Sequence, residues 1–391
     1  VTEAAVSPAT IDVPHDDQPP WAVICGGGTA GHVVPAIAIA QALVARGHPP
    51  ASIHFIGSDR GIESRLVPEA GFGVTLLPGR GIERRLSIRN LQAVAGLAAA
   101  SVKGVRLVAR RRPRVVVSVG GYASLPGVAA SAVLRVPLVV VEQNAAPGAA
   151  NRLAARVAQA AAVSFPGTPL PGAVVTGNPV RPEVLAVDRS QVGKAAARRA
   201  LDVPPDATLV LATGGSLGAR TINNSTLGLV QRWRSRRHWC VYHVVGTRDW
   251  EAVAAARPEL PDDGLWYRQV RYEDRMDLVY AAADMAVCRA GATTVSELAV
   301  VGLPAVLIPL PGAPSDHQTA NARALVDVGA ARLVSDAEAS PERLAAELDA
   351  MADPATRSEM SQAAATVARR QAADEVAALV ERVSTSGRGR R

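Results

Sequence analysis

Twice in this 391-residue chain an aliphatic run ends in a glycine-rich turn that opens a helix. The first, AVICGGGTAGHVVP (22–35), places Gly26, Gly28 and Gly31 at the G-x-G-x-x-G spacing. The second, TLVLATGGSLGAR (208–220), repeats strand, turn and helix start. A strand feeding a helix through such a turn is the unit of doubly wound parallel sheets. Two of them predict an α/β chain with two similar domains facing each other across a cleft. Composition agrees: 48% of residues are hydrophobic but only 3% aromatic, so the cores are Ala, Val and Leu, as in buried parallel strands.

Strand and helix signals alternate through both halves. SIHFIG (52–57), GVTLL (73–77), RVVVSVG (114–120) and PLVVVEQN (137–144) read as strands. Helices are expected over 33–46, with Pro35 in the first turn, and over 88–112, ended by Pro113. GNPVRPEVL (177–185) breaks the rhythm with two prolines and reads as a linker. The alternation then resumes through WCVYHVVG (239–246) and the strand, helix and strand of 284–310. The domains are placed at 21–181 and 182–371, behind a disordered leader at 1–20.

A net charge of +7 favours an anionic partner, unless it reflects arginine-rich coding bias. Cys25, Cys240 and Cys288 sit far apart in apolar runs and read as buried thiols. The longest weakly polar stretch, 91–102, is too short to span a bilayer. The chain is expected to be soluble or to rest on a membrane surface.

A lone G-x-G-x-x-G is weak, and Asp59 stands where a ribose-binding acid of a nicotinamide enzyme would be. Two features oppose that reading: His32 directly follows the last glycine, and a second turn opens the other domain. Facing turns suit a diphosphate donor on one domain and an anionic acceptor on the other, both held by free amides and helix dipoles. A third turn, RAGATTVSE (289–297), offers helix-start amides at Ala292, Thr293 and Thr294, with Glu297 one turn on to accept from ribose hydroxyls. DHQTANA (316–322) gathers Asp316, His317, Gln318 and Asn321 at another helix start, where N-capping by Asp316 explains one of the four.

The motifs GGGTAGHVVP, SVGGYASLPG, EQNAAPG, GNPVR, GGSLGAR, CRAGATTVSE and DHQTANA, in this order, resemble the MurG family over residues 21–383. That family is the undecaprenyldiphospho-muramoylpentapeptide β-N-acetylglucosaminyltransferase of peptidoglycan synthesis. The resemblance implies a GT-B fold of two Rossmann-like domains, the first binding lipid I and the second UDP-GlcNAc. A last helix at 372–385 would complete the first domain. Carried over by position, donor contacts fall on Thr29, Ala30, Gly31, Asn144, Arg181, Ser216, Ala292, Thr293, Thr294, Val295, Ser296, Glu297 and Gln318. Glu273 stands at the uracil-contacting position. Ala30, Leu217 and the RYEDRM loop (271–276) depart from the family's usual residues.

The implied reaction is inverting attack of a muramoyl 4-hydroxyl on the anomeric carbon of GlcNAc. Preorganised dipoles at the turns and at Ser216 would hold the departing diphosphate. His32 is the candidate base, with a phosphate- or acceptor-orienting imidazole as its bland alternative. Glu142, oriented by Asn144, is the second candidate base. Gly120, Gly121 and Tyr122, with His32, would contact the acceptor. No D-x-D, H-E-x-x-H or clustered His/Cys motif occurs, so neither metal nor other cofactor is expected.

Three other readings stay open: a UDP-GlcNAc 2-epimerase, a non-catalytic nucleotide-sugar-binding protein, and an NAD-dependent oxidoreductase. The resemblance places the chain peripherally on the cytoplasmic face of the cell membrane, with lipid I, other cell-wall and division proteins, and no nucleic acid. LLPGRGIERRLSIR (76–89) interleaves Leu76, Leu77, Ile82, Leu86 and Ile88 with Arg80, Arg84, Arg85 and Arg89. It is the expected contact with an anionic surface, unless its aliphatics face the core.

Overall fold

The computed structural model describes residues 10–11, 20–78, 88–215 and 217–386. The chain divides into two compact units, residues 1–180 with 371–391, and residues 181–370.

The first unit runs β1 (Thr10–Ile11), β2 (Ala22–Cys25), α1 (Ala30–Ala45), β3 (Ile53–Ser58), α2 (Glu63–Glu69) and β4 (Gly73–Leu77). It continues with α3 (Ile88–Arg111), β5 (Val115–Ser118), α4 (Leu125–Leu134), β6 (Leu138–Glu142), α5 (Ala149–Ala154), β7 (Ala160–Val163) and β8 (Ala173–Val175). Among the described residues the sheet order is β1-β4-β3-β2-β5-β6-β7-β8, parallel from β4 to β8. The order reverses direction between β2 and β5, which is where a doubly wound sheet opens a ligand crevice at its carboxyl edge.

Side chains alternate across β2. Ala22 and Ile24 join Ala36, Ile39 and Leu43 of α1, while Val23 and Cys25 join Ala100, Val108, Val128 and Ala130 of α3 and α4. Both faces are therefore covered, the condition for a parallel sheet. The C-terminal helix Ala372–Ser386 packs on α1, burying Val376, Leu379, Val380 and Val383 in the same core. Burying a Val or Leu side chain is worth roughly 1.5–3 kcal/mol, so apolar contact dominates this docking. Arg46 then fixes the register by pairing with Asp374 at 2.8 Å and Glu381 at 2.7 Å.

The second unit holds α6 (Pro182–Leu185), α7 (Gln191–Ala200), β9 (Thr208–Thr213), α8 (Arg220–Arg232), β10 (Trp239–Val244), α9 (Trp250–Ala255) and β11 (Trp266–Val270). It ends with α10 (Met276–Ala282), β12 (Met285–Cys288), α11 (Ala292–Val301), β13 (Ala305–Leu307), α12 (His317–Val326), β14 (Ala331–Leu333), α13 (Pro341–Asp349) and α14 (Pro354–Val367). Its parallel sheet has the order β11-β10-β9-β12-β13-β14. The switch falls between β9 and β12, the strands that precede the second and third glycine turns. Each half is a Rossmann-like sheet, and the pair constitutes the GT-B fold.

Several expectations need correction. Thr10 and Ile11, assigned to a disordered leader, pair antiparallel with Thr75 and Val74. The stretch read as a linker contains the division between the units, which falls between Val180 and Arg181; it is buried from Gly177 to Val180 and turns helical at Pro182. Leu76 and Leu77, expected to enter a headgroup layer, are only 7% and 3% exposed, because β4 is covered on both faces. Arg80, Ile82, Arg84, Arg85 and Leu86 lie outside the described residues, as do the side chains of Ile88 and Arg89. Among the described residues no helix is long and apolar enough to cross a membrane.

Candidate functional site

In the first unit α1 begins at Ala30 rather than at Val33, with Thr29 at the N-cap position but no side-chain cap to a backbone amide. His32 therefore sits inside the first helical turn, its Nδ1 3.1 Å from Thr29 Oγ1. The loop after β5 closes on this ring. A Cβ added at Gly120 would lie 3.3 Å from His32 Cδ2, and one at Gly121 would lie 2.8 Å from the Gly27 carbonyl. Gly120 and Gly121 thus allow the loop to lie against both the first turn and the imidazole. Tyr122 leans over Gly28 and donates its hydroxyl to Ser58 Oγ at 3.0 Å. His32, Gly120, Gly121 and Tyr122 come together as one constellation.

Glu63, which sequence reasoning missed, organises the other side of that turn. Its buried carboxylate accepts from the amides of Gly28 at 2.9 Å and Ser58 at 2.7 Å. Cβ atoms at Gly27, Gly57 and Gly61 would fall 2.0–2.4 Å from this side chain. Three glycines from three segments make room for one carboxylate. A lone Glu in IESR carries no signal for this, since the cradle forms only on folding.

Glu142 does not have the placement of a base. It is 2% exposed and accepts from Asn144 N at 2.9 Å, Asn144 Nδ2 at 3.2 Å, Gly148 N at 2.9 Å and Asn151 Nδ2 at 2.9 Å. A carboxylate accepting four hydrogen bonds is committed to holding its loop. Asn144 donates to it as part of that loop.

In the second unit the close approach of two backbones builds the turn after β9. Gly218, at φ +84°, would carry a Cβ 2.2 Å from the Val245 carbonyl. Only glycine combines that left-handed φ with that contact. Gly218 N donates to the Gly215 carbonyl at 2.9 Å, and Leu217 stands 64% exposed at the turn's tip. Ser216 lies outside the described residues.

The turn after β12 leads into α11, where Ala292, Thr293, Thr294, Val295 and Ser296 form the first turn and a half. Glu297 follows, 6% exposed. It accepts from the Tyr280 hydroxyl at 2.8 Å and from Arg181 Nη2 at 3.3 Å. Burial raises the Glu297 pKa, and Arg181 and Tyr280 offset that only in part. Burial is the largest influence on Arg181 and lowers its pKa, but Glu297, Tyr280 and Glu183 together outweigh it and the net shift is upward. Arg181 Nε and Thr293 Oγ1 are buried without a hydrogen-bond partner. Buried polar atoms are nearly always satisfied, so two unpartnered ones beside a buried carboxylate leave room for a ligand's polar groups.

Gln318 and Asn321 fasten this turn from α12. Gln318 Oε1 accepts from Ala290 N at 3.2 Å and Leu310 N at 2.9 Å, and Asn321 Nδ2 donates to the Ala290 carbonyl at 3.2 Å. Asp316 does not cap α12 through its side chain; its carboxylate takes the Thr319 hydroxyl at 2.8 Å instead. His317 Nδ1 is 2.8 Å from the Pro314 carbonyl. Glu273 accepts from the Tyr242 hydroxyl of β10 at 2.5 Å and from Arg275 N at 2.8 Å, so one oxygen ties the loop to the sheet and the other holds the loop itself. The three cysteines are buried thiols, with burial pushing Cys25, Cys240 and Cys288 up to about 12.

Comparison with known proteins gives this geometry a context. The glycosyltransferase family 28 N-terminal domain matches residues 22–163, and the family's C-terminal domain matches residues 209–376. A Streptomyces avermitilis protein, UDP-N-acetylglucosamine--N-acetylmuramyl-(pentapeptide) pyrophosphoryl-undecaprenol N-acetylglucosamine transferase, is 40% identical over 92% of this chain and 97% of its own. A relative of the same name from Clavibacter michiganensis is 41% identical over 92% of this chain and 95% of its own. The crystal structure of Acinetobacter baumannii MurG superposes with a TM-score of 0.73 at 28% identity, covering 93% of this chain and all of that one. A putative UDP-N-acetylglucosamine 2-epimerase from Listeria monocytogenes shares the fold alone, with a TM-score of 0.64 at 14% identity over 93% of this chain and 96% of its own. Matched in both domains by glycosyltransferase family 28, and over 92% of its length by relatives of one name, this chain is a glycosyltransferase belonging to the MurG family.

Proposed function

We propose that the chain transfers GlcNAc from UDP-GlcNAc to the 4-hydroxyl of the muramoyl residue of lipid I, giving lipid II with inversion at the anomeric carbon. The observation that carries the donor half is the cluster at the carboxyl end of β12. There a buried carboxylate, Glu297, stands beside two unpartnered polar atoms, Arg181 Nε and Thr293 Oγ1. A ribose diol supplies donors for the carboxylate, and a diphosphate supplies acceptors for the guanidinium and hydroxyl.

The reaction forms a bond from the acceptor oxygen to the anomeric carbon and breaks the bond from that carbon to the UDP oxygen. Positive charge grows on the sugar ring and negative charge on the leaving diphosphate. The N-termini of α8 and α11 offer fixed dipoles of the sign needed there. Arg181 adds a formal charge.

The acceptor hydroxyl must lose a proton, and His32 is assigned to take it. An imidazole's ordinary pKa lies near neutrality, where a general base is most effective. Gly120, Gly121 and Tyr122, packed around that ring, are assigned to the acceptor. Because an undecaprenyl acceptor stays in the bilayer, the enzyme is assigned to the cytoplasmic face of the membrane, attached peripherally.

The deciding experiment follows radiolabel from UDP-GlcNAc into a lipid I analogue. Acceptor-dependent transfer giving a β-linked product is expected. Acceptor-independent conversion of UDP-GlcNAc to its 2-epimer would assign the chain to the epimerases instead. Donor binding without turnover would make it a binding protein.

A further inference from the structure

The second unit has another basic cavity, at the opposite edge of its sheet. It encloses about 390 Å³ and is lined by Arg189, Lys194, Asp284, Arg357, Ser358 and Ser361. Asp284 immediately precedes β12, and Pro304, also in the wall, immediately precedes β13. The cavity thus lies at the amino ends of these strands, whereas Glu297, Thr293 and Gln318 follow their carboxyl ends. At about 3.3 Å per residue the strands themselves separate the two sites by roughly 10 Å. Nothing in the transfer reaction uses the amino edge.

The charges there do not balance. Asp284 accepts from Lys194 Nζ, from Arg198 Nη2 at 2.6 Å and from Leu209 N at 2.7 Å. Arg189, half-buried beside them, spends Nη1 on the carbonyls of Tyr280 at 2.6 Å and Ala283 at 3.0 Å. One carboxylate therefore faces three cations, and Arg357 adds a fourth from α14. Lys194 and Arg198 lie one helical turn apart on α7, where like charges repel unless bridged. Burial lowers the pKa of both Arg189 and Lys194; Asp284 counters it, and mutual repulsion among the cations adds to it. A desolvated excess of positive charge is unfavourable until an anion enters. The cations come from three separate segments, and Ser358 lines the wall between them, Ser361 having donated its hydroxyl to the Gly302 carbonyl at 2.6 Å. That is a donor-rich pocket with a net charge suited to phosphate oxygens.

We propose that this cavity is a second ligand site, which binds one or two phosphate groups of a small anion independently of the sugar donor. Lys194, Arg189 and Arg357 supply the charge, and Ser358 supplies a hydroxyl at the rim.

Pyrophosphate is the probe, titrated calorimetrically into the full chain saturated with UDP so that the donor site is occupied. A single further binding event is expected, weakened at least ten-fold by Arg357→Gln and abolished by Ser358→Glu. Arg357→Gln leaves the Asp284 pairs intact. Ser358 is exposed, so its replacement places a negative charge in the rim without disturbing the core. Displacement of pyrophosphate by phosphatidylglycerol vesicles, but not by phosphatidylcholine vesicles, would trace the phosphate to a lipid headgroup. Persistence against both would trace it to a soluble ligand. The proposal is overturned by the absence of binding to the UDP-saturated protein, or by binding that both variants leave unchanged.

Discussion

Tyr280 holds Glu297: its hydroxyl donates to Oε2 at 2.8 Å, while Arg181 reaches the other oxygen at 3.3 Å. The carboxylate assigned to the ribose is thus oriented from α10, an element with no glycine turn of its own. Removing the hydroxyl leaves a buried carboxylate oxygen without its neutral donor. A hydrogen bond to a charged group contributes about 1.5–3 kcal/mol. Tyr280→Phe is therefore expected to weaken UDP-GlcNAc binding roughly ten- to a hundred-fold, read by calorimetry. Glu297→Gln should weaken it by a similar factor. Unchanged affinity in both variants would remove this pair from the donor site.

The same pair sets a pH dependence. Burial raises the Glu297 pKa above the usual carboxylate value of 4.5. Donor affinity should accordingly fall on acidification at a pH above 4.5, as the carboxylate gains a proton and stops accepting. The Tyr280 hydrogen bond lowers that pKa, so in Tyr280→Phe the fall begins at a higher pH. For folding the sign is the reverse of a salt-bridged acid. A folded pKa above the unfolded one stabilises the protein below the unfolded pKa, and that contribution is lost as pH rises through the folded pKa.

Glu63 is the keystone of the first turn. Glu63→Ala strands the amides of Gly28 and Ser58 inside a space shaped for a carboxylate, at about 1–3 kcal/mol for each unsatisfied donor. Thermal unfolding of the first unit is expected to move down by several degrees. Catalytic turnover should fall while affinity for UDP, measured separately, is retained. A variant with wild-type stability and rate would show that the turn holds its shape without the carboxylate.

The elements that could be read from the sequence are those whose side chains are β-branched and whose turns are glycine-marked. β2, β5, β6, β9, β10, β12 and β13 all announce themselves in this way. β7, with the sequence AAAV, does not: alanine has little strand preference, and only its burial between β6 and β8 makes it a strand. The roles of Glu63, Tyr280 and Asn151 were illegible for a different reason. Each is defined by a partner beyond its own turn or strand, 35 residues from Glu63 to Gly28, 17 from Tyr280 to Glu297 and nine from Asn151 to Glu142, and no local pattern encodes such a meeting. Glu142 shows the converse error. Its position at a strand's carboxyl end suggested a base, and only its four donors reveal that the carboxylate is occupied.

Two buried histidines should make each unit acid-sensitive. His54 is held between Thr75 Oγ1 at 2.8 Å and Arg111 Nη1 at 3.1 Å; burial, then the Arg111 charge, push its pKa down to about 3. His243 lies between Tyr267 Oη at 2.9 Å and Asn223 Oδ1 at 3.0 Å, and burial pushes it likewise to about 3. A folded pKa below the unfolded 6.5 means stability present above pH 6.5 and lost as pH falls toward 3. The slope is about 1.4 kcal/mol per pH unit for each ring. Urea unfolding at pH 7 and pH 5 should show this loss, and His243→Gln should flatten the slope for the second unit. Equal stability at the two pH values would mean that these rings are hydrated enough to charge in place.

His32 provides the sharpest division between chemistry and binding. Its ring lies in the first turn of α1, fixed near Thr29 Oγ1 and against Gly120 and Gly121, so replacement by alanine removes an imidazole without unpacking a core. If it takes the acceptor's proton, His32→Ala should lower turnover about 10²- to 10⁴-fold, the usual contribution of a general base, with UDP-GlcNAc affinity nearly unchanged. The pH–rate profile should lose its acidic limb at the same time, because that limb reports protonation of the base. A variant that keeps its turnover and its profile but loses affinity for the lipid I analogue would make His32 an orienting group. Glu142 would not inherit the role: abstracting a proton would require it to release donors that hold the loop from Asn144 to Asn151. The search for the base would then turn to the acceptor's own surroundings at Tyr122 and Ser58.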